Sequence, residues 1–454
     1  MRYFSRSHKW GQRLRPPDIY EYYVDNFWFN TVDGESQKVN EPLRGSHKAD
    51  VVIVGGGYTG LSAAYNVQNK FPEKKIVLLE GAHCGYGASG RNGGFCIATS
   101  LLDWDQTDPV LRQQSLEVST YGIEFIKRMI SEHGVDCDFS EKGMLNVALN
   151  NKQIKSLELY SNQLKSFGLE STFLQGKDLD AEIKSPLFVA GLYNPHGTTL
   201  NPAKLAFEMK RVVEEIGVEV IERSVVTRIS PGKVNLVDTE FGDIRAPILI
   251  IALNAYVNKL GFFKNRVFPV SVHQIVTEPL SEAQWDSIGW QNRAGLSDMR
   301  TMYSYTIPTT DGRILMGGSD FVYYNNDALH SGNDKTVTRR IKDNLFEFFP
   351  QLKGLKIANA WGGTTAYTLG RIPSVGVIGD YRNIYYAVGF SEGVPSTQTA
   401  GRIIADLMAG EKNQFTDHFI VNRKIPYAGP ARLRGIFGWG IKWIMENLDY
   451  SPIH

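Results

Sequence analysis

Cysteine is scarce: Cys84, Cys96 and Cys137 are the only three in 454 residues, and no two stand as C-x-x-C. That excludes a disulfide framework and argues against a structural zinc site, and it fits a reducing compartment. Neither sign of charge is in excess, with 49 Lys+Arg against 48 Asp+Glu and a net charge of +1. No basic field therefore invites nucleic acid, and no charged block forms a tail. No run reaches the roughly 18 apolar residues that cross a bilayer. The opening MRYFSRSHKWGQRLRPP is basic but has no apolar centre of signal-peptide length. Repeats and low-complexity tracts are absent. Together these absences predict a cytoplasmic enzyme with no metal site.

What is present reads as globular: 42% hydrophobic and 21% charged residues. The length exceeds one ordinary core, so two domains are expected. Residues 1–47 lack a clear period, yet Tyr20, Tyr22, Tyr23, Phe27, Trp28 and Phe29 are too apolar for a free tail. They predict an arm packed on the body.

The strongest pattern follows. Ala49 to Val54 is a β-branched run of the kind buried on both faces. It enters Gly55-Gly56-Gly57-Tyr58-Thr59-Gly60, then a helical stretch from Leu61 to Val67, then a second strand, Lys75 to Leu79, ending at Glu80. This order and spacing make one βαβ unit. Gly55, Gly57 and Gly60 fill the three places of G-x-G-x-x-G, which need a tight turn, close approach of backbone to a pyrophosphate, and close helix–strand contact. Tyr58 and Thr59 would offer their amides at the helix start, where the dipole favours anions. Glu80 stands where a carboxylate accepts from ribose hydroxyls and would repel a 2′-phosphate. FAD and NAD both satisfy this cradle.

Beyond it, Gly85-Tyr86-Gly87-Ala88-Ser89-Gly90-Arg91-Asn92-Gly93-Gly94-Phe95 is too rich in glycine for a regular helix or strand. Its place just after the ribose acid sets it beside the cofactor, with backbone amides and the side chains of Ser89 and Arg91 as donors. Downstream, residues 205–216 place Leu205, Ala206, Met209, Val212, Val213 and Ile216 on one helical face, before Gly217. Val218–Ile221, Val225–Ile229 and Ile248–Leu253 read as strands. So do Val270–Thr277 and Arg313–Gly317, with an amphipathic helix near 337–349.

At these residues the chain resembles the D-amino-acid-oxidase-type (DAO) FAD-dependent oxidoreductases, and is most similar to their gamma-glutamylputrescine oxidase branch. The resemblance rests on Ala49–Gly60 and Gly87-Ala88-Ser89-Gly90-Arg91-Asn92-Gly93-Gly94. It extends to Leu43-Arg44-Gly45, Gly143-Met144-Leu145, Leu200-Asn201-Pro202, Asp311-Gly312-Arg313, Trp361 to Thr368 with Pro373, and Gly389-Phe390-Ser391. It implies an α/β fold: a Rossmann-like FAD-binding domain interleaved with an α+β substrate domain on a mostly antiparallel sheet. The expected division is an arm at 1–47 and an FAD-binding domain at 48–100, 190–265 and 356–412. The substrate domain would be 101–189 and 266–355, followed by a helical extension at 413–454.

The resemblance further implies that Gly55, Gly57, Gly60 and Glu80 hold the ADP half of FAD and that Ala88–Gly94 run along its middle. Val226 would meet the adenine through its backbone. Gly362, Gly389, Ser391, Gly393 and Val394 would lie near the flavin, the segment Gly389–Val394 preceding a helix (Thr399 to Met408) whose N-terminus would point at the pyrimidine edge. Where the branch usually has Ser-Gly-His-Gly, this chain has Ser391-Glu392-Gly393, shorter by one and without the histidine. The lysine that monomeric sarcosine oxidases place near the flavin has no counterpart around Arg313–Gly318. Cys84 and Cys96 read as buried thiols rather than flavin attachment points.

The implied chemistry is hydride transfer from an amine-bearing carbon to flavin N5, giving an imine that water hydrolyses; a neutral amine needs no dedicated base. Tyr303, Tyr305, Trp361 and Tyr367 are expected in an aromatic wall. Tyr305, Trp361 and Glu392 are the candidate catalytic contacts, and Arg300 is a candidate partner for a substrate carboxylate. The electron acceptor is left between O2 and a protein or quinone. The basic, aromatic stretch Arg432–Ile444 is either a packed terminal helix or a membrane-surface contact. Two alternatives stay open: an oxidase or dehydrogenase of glycine or D-amino acids, and an FAD-binding redox subunit without turnover.

Overall fold

The computed structural model describes residues 26–34, 37–98, 108–330, 332–391 and 393–435. Tyr20, Tyr22, Tyr23, Glu392 and the stretch after Gly435 lie outside them.

Six strands form the nucleotide-binding sheet: β1 (Val51–Val54), β2 (Ile76–Leu79), β3 (Glu219–Ile221), β4 (Ile248–Ile251), β5 (Ser374–Ile378) and β6 (Ile384–Val388). Their spatial order is β5-β6-β4-β1-β2-β3, all parallel except the β5–β6 hairpin at the edge. Alternate residues of β1 enter two different cores, which is why the strand has no polar position. Val51 and Ile53 pack with Leu61, Val67, Ile126 and Ile403. Those residues belong to α1 (Tyr58–Lys70), α2 (Pro109–His133) and α4 (Val394–Ala409); α3 (Pro202–Glu215) completes this helical layer. Val52 and Val54 instead meet Ile229, Val237 and Ile244, from a four-stranded sheet ordered 45–48, 242–246, 235–238, 228–230.

The second domain is an eight-stranded sheet in which every pairing but one is antiparallel. Its spine is the long pair Val267–Thr277 and Ile357–Thr368. One face, carrying Val276, Leu315 and Trp361, packs toward Phe27, Trp28 and Phe207. The other, carrying Ile275, Ile314 and Met316, is covered by Val337, Ile341 and Leu345 of the helix Lys335–Phe348.

The expected segment boundaries need correction. Ala190–Asn194 pairs with Met144–Ala148 in the eight-stranded sheet, and Ile357–Thr368 belongs there too, although 190 and 356 were expected to open FAD-binding segments. Conversely, α2 falls within the expected substrate segment 101–189, yet its stripe Val118, Phe125, Ile126 and Met129 is buried in the helical layer of the nucleotide sheet. Gly122 makes this fit: a Cβ there would overlap the Pro395 carbonyl at the start of α4. The expected C-terminal helical extension is turns and extended chain over 413–430, with Ile420 and Ile425 buried, before a short helix at 431–435. Arg434 there pairs with Asp327 at 2.6 Å, so this part folds back on the body. Among the described residues no helix is long and apolar enough to cross a membrane.

His273 lies on the helix-covered face of the large sheet, fully buried. Burial holds its imidazole down at about 4 from the ordinary 6.5, and Asp334 and Asp320 only partly offset this. The folded protein thus disfavours the protonated ring. Its stabilising effect as a neutral group is present above pH 6.5 and is lost as pH falls toward 4, where only the unfolded chain takes up the proton. Urea unfolding of wild type and His273→Leu should show this. Their stability difference should move against wild type by about 3 kcal/mol between pH 7 and pH 4, and a pH-independent difference would contradict it.

Candidate active site

The first βαβ turn is built by steric necessity. Gly55 has φ +112°, a conformation for glycine, and a Cβ on Gly60 would overlap the Gly55 carbonyl. Helix α1 can therefore start directly against the end of β1. Its N-cap, Gly57, supplies no side-chain cap; the Tyr58 amide instead donates to Ser89 Oγ at 3.0 Å. Thr59 is half-buried in the same first turn.

Glu80 follows β2 on the neighbouring strand. Its Oε2 accepts from the Gly56 amide at 2.7 Å and its Oε1 from the Ala82 amide at 2.9 Å. Burial raises the carboxyl's pKa, opposed by these amides. Each oxygen keeps a lone pair for a ribose hydroxyl. The Ser224 amide donates to the Glu80 carbonyl at 2.8 Å, which brings the stretch containing Val226 to this end of the sheet; the Val226 side chain itself is buried.

The loop after Glu80 carries one 3-10 turn, Ala88–Gly90, capped by Gly87. Asn92 ties it internally: its amide group donates to Ser89 O at 2.7 Å, and its Oδ1 accepts from the Gly94 amide at 2.9 Å. Arg91 is buried, donating to Tyr86 O at 2.7 Å and to Gly362 O at 3.4 Å, with its guanidinium 4.6 Å from the Tyr86 ring centre. Gly93 lies under the Tyr305 ring, where a Cβ would clash. The loop is thus the seam between the two sheets.

Tyr305 stands at that seam, its hydroxyl accepting from Gln274 at 3.1 Å. Burial raises its phenol well above the usual range, so it stays protonated with its own O–H to donate. Trp361, expected in the wall, is wholly enclosed, and its indole N–H is committed to Arg91 O at 3.0 Å. It props the loop rather than facing a substrate. Tyr303 is exposed and 6.3 Å from the Tyr305 ring; Tyr367 is half-buried. Arg300 is turned to Asp298 at 2.7 Å and Ser304 at 2.9 Å, with Phe348 of the covering helix below its guanidinium.

Near the end of the nucleotide sheet, Gly389 (φ +77°) touches Thr368, and the Ser391 amide turns back to Gly389 O at 3.0 Å. Gly393 is the N-cap of α4 without a side-chain cap, and Val394 begins the helix. Two long helices, α1 and α4, therefore begin on glycine with no capping side chain of their own, as helices aimed at a polar ligand do. Sequence reading missed Gln274 and Ser89's role as a cap; only the fold brings Gln274 opposite Tyr305. It also missed Lys210, which meets the buried Glu222 at 2.6 Å while Glu222 accepts from the Cys84 amide at 2.6 Å. Cys84 and Cys96 are fully buried. Burial raises both thiols, that of Cys96 to about 12, so neither is poised as a nucleophile.

A glycine cradle, an acid at the end of the neighbouring strand, two helices begun on glycine and a covering, mostly antiparallel sheet define a two-domain dinucleotide-binding architecture of the flavoprotein kind. The FAD-dependent oxidoreductase (DAO) family model matches residues 50–407. The chain belongs to that family and is an FAD-dependent oxidoreductase. It is 33% identical over 407 residues to gamma-glutamylputrescine oxidoreductase of Escherichia coli, covering 87% of this chain and 91% of that one. A probable oxidoreductase, OrdL, of Haemophilus influenzae is 29% identical with the same coverage. Among solved structures, glycine oxidase from Geobacillus kaustophilus superposes with a TM-score of 0.72 at 18% identity, covering 84% of this chain and all of that one. The fold is therefore the one read from the sequence.

The cradle offers a cofactor backbone groups rather than side chains, from which the outcome of two substitutions follows. Gly60→Ala should weaken FAD binding at least tenfold and lower Tm, because the methyl must displace the Gly55 peptide, at a cost of about 1–3 kcal/mol. Thr59→Ala keeps its amide and should bind FAD within about threefold of wild type. Flavin-to-protein stoichiometry and titration of the apoprotein measure both.

Proposed function

We propose that this enzyme oxidises a C–N bond of a small amine, of the polyamine-derivative or N-alkyl class, to an imine that water hydrolyses. FAD, when bound, supplies the hydride acceptor at N5. The chain's residues supply geometry and dryness. The amides of α1 and the carboxylate of Glu80 would hold the ADP half, with the Val226 backbone at the adenine. The loop Gly87–Gly94 would lie along the middle, and Gly389, Ser391, Gly393 and Val394 at the pyrimidine edge. There the start of α4 favours the negative charge that reduction brings. Gly362 acts indirectly, by receiving Arg91. Tyr305, held by Gln274, would orient the substrate with its remaining O–H, and Trp361 keeps water from behind the loop.

What supports an amine rather than an amino acid is the 33% identity to a relative named for gamma-glutamylputrescine. Arg300, the candidate partner of a substrate carboxylate, is instead matched by Asp298 and Ser304 beside the covering helix. Reoxidation is the less assisted half. Ile314, Leu315 and Met316 are fully buried and apolar, so the strand Ile314–Gly318 offers no cation to stabilise reduced oxygen. We assign electron transfer to a protein or quinone acceptor ahead of O2, and a cytoplasmic location in keeping with three buried free thiols.

Anaerobic addition of polyamine derivatives, N-methyl amines, glycine and D-amino acids to the yellow protein tests this. Polyamine derivatives or N-methyl amines should bleach the flavin, and colour should return slowly in air but quickly with a quinone. Bleaching by glycine or D-amino acids alone would move the enzyme to the amino-acid class, and no bleaching at all would leave an FAD-binding subunit.

A further inference from the structure

The cofactor loop is held by residues that no part of the nucleotide fold supplies. Three successive carbonyls each receive one side-chain N–H. Asn26 donates to Gly90 O at 2.8 Å, Trp361 to Arg91 O at 3.0 Å, and Trp28 to Asn92 O at 2.9 Å. Asn26 and Trp28 flank the start of a single helical turn, Phe27–Asn30, that Asn26 itself caps by accepting from the Trp28 amide at 3.0 Å. Phe29, in the same turn, closes over Gly90, where a Cβ would stand 2.5 Å from its ring.

In a trans peptide the carbonyl and the following N–H point in opposite directions. Fixing the carbonyls of Arg91 and Asn92 on two indoles therefore turns the amides of Asn92 and Gly93 the other way. Among the described residues neither amide has a hydrogen-bond partner, whereas the flanking amides of Arg91 and Gly94 do. Backbone donors left over beside a cofactor loop are waiting for an acceptor.

We propose that Asn26 and Trp28 are positioning residues for FAD: from the N-terminal segment they lock the loop so that the Asn92 and Gly93 amides are presented to the cofactor. This rests on the FAD-dependent reading above. It goes beyond it by making a segment outside both domains part of the cofactor site.

Asn26→Asp separates this role from mere packing. The carboxylate still caps the Phe27–Asn30 turn, but it cannot donate to Gly90 O. Trp28→Phe keeps a ring and removes the N–H. Val32→Ala, in the same buried cluster but without a bond to the loop, is the packing control. Full-length apoproteins are titrated with FAD, and the flavin absorption envelope and reduction potential are recorded with Tm. Asn26→Asp and Trp28→Phe should each weaken FAD binding about tenfold, the size of one net hydrogen bond, and alter the spectrum and potential. Val32→Ala should lower Tm yet bind FAD within about threefold. If both variants match wild type in affinity, spectrum and potential, the proposal is wrong while FAD dependence stands. If wild type itself takes up no FAD, the underlying reading falls first.

Discussion

The meeting of the Gly55 carbonyl with the Cα of Gly60 is the contact on which the site depends. It lets α1 begin with only three residues between it and β1, so the first amides of the helix open at the C-terminal end of the strands. Because β1 and β2 run parallel, with Val54 beside Leu79, whatever follows each strand emerges side by side. That register brings Gly56 and Glu80 into a 2.7 Å hydrogen bond across 24 positions of sequence. A bulkier residue at 60 would push the helix away and separate its first amides from Glu80.

A second constraint joins the two domains. The second strand of the nucleotide sheet runs into a glycine-rich loop, and the large sheet adds to the loop's own bonds from the other side. Tyr305 covers Gly93, Gly362 receives Arg91, and Trp361 takes the Arg91 carbonyl. A buried guanidinium with backbone acceptors and an aromatic neighbour gives the loop one orientation instead of many. The cofactor path is therefore shaped by contacts from the very domain that would bind the substrate.

How far the residues alone revealed this follows from the range of each interaction. The cradle was legible because glycine spacing, the β-branched strand and Glu80 all lie within 32 residues, and each has a local physical reason. Helix α3 and the helix Lys335–Phe348 were legible from their apolar stripes. Sheet membership was not: Ala190–Asn194 and Ile357–Thr368 are ordinary strands, and nothing in a strand's own pattern states which sheet it joins. The segment that holds α2 was assigned to the substrate domain for a like reason, since its partner α4 lies some 280 residues later. Trp361 was read as a wall residue; the bond to Arg91 O that encloses it links residues 270 positions apart.

The division of labour between backbone and side chain explains what kinship can and cannot transmit. Cofactor groups met by amides, helix starts and a single acid place few demands on side-chain identity, so the architecture persists at 18% identity to glycine oxidase. Choice of substrate, in the function proposed above, would fall to side chains such as Tyr305 and Gln274. Arg300 can be retained with Asp298 2.7 Å away and both buried, because their attraction offsets part of the cost of taking two charges out of water. The same pairing takes it away from any carboxylate a substrate could bring. Fold similarity is thus a statement about main chain, and it leaves the choice of substrate to side chains.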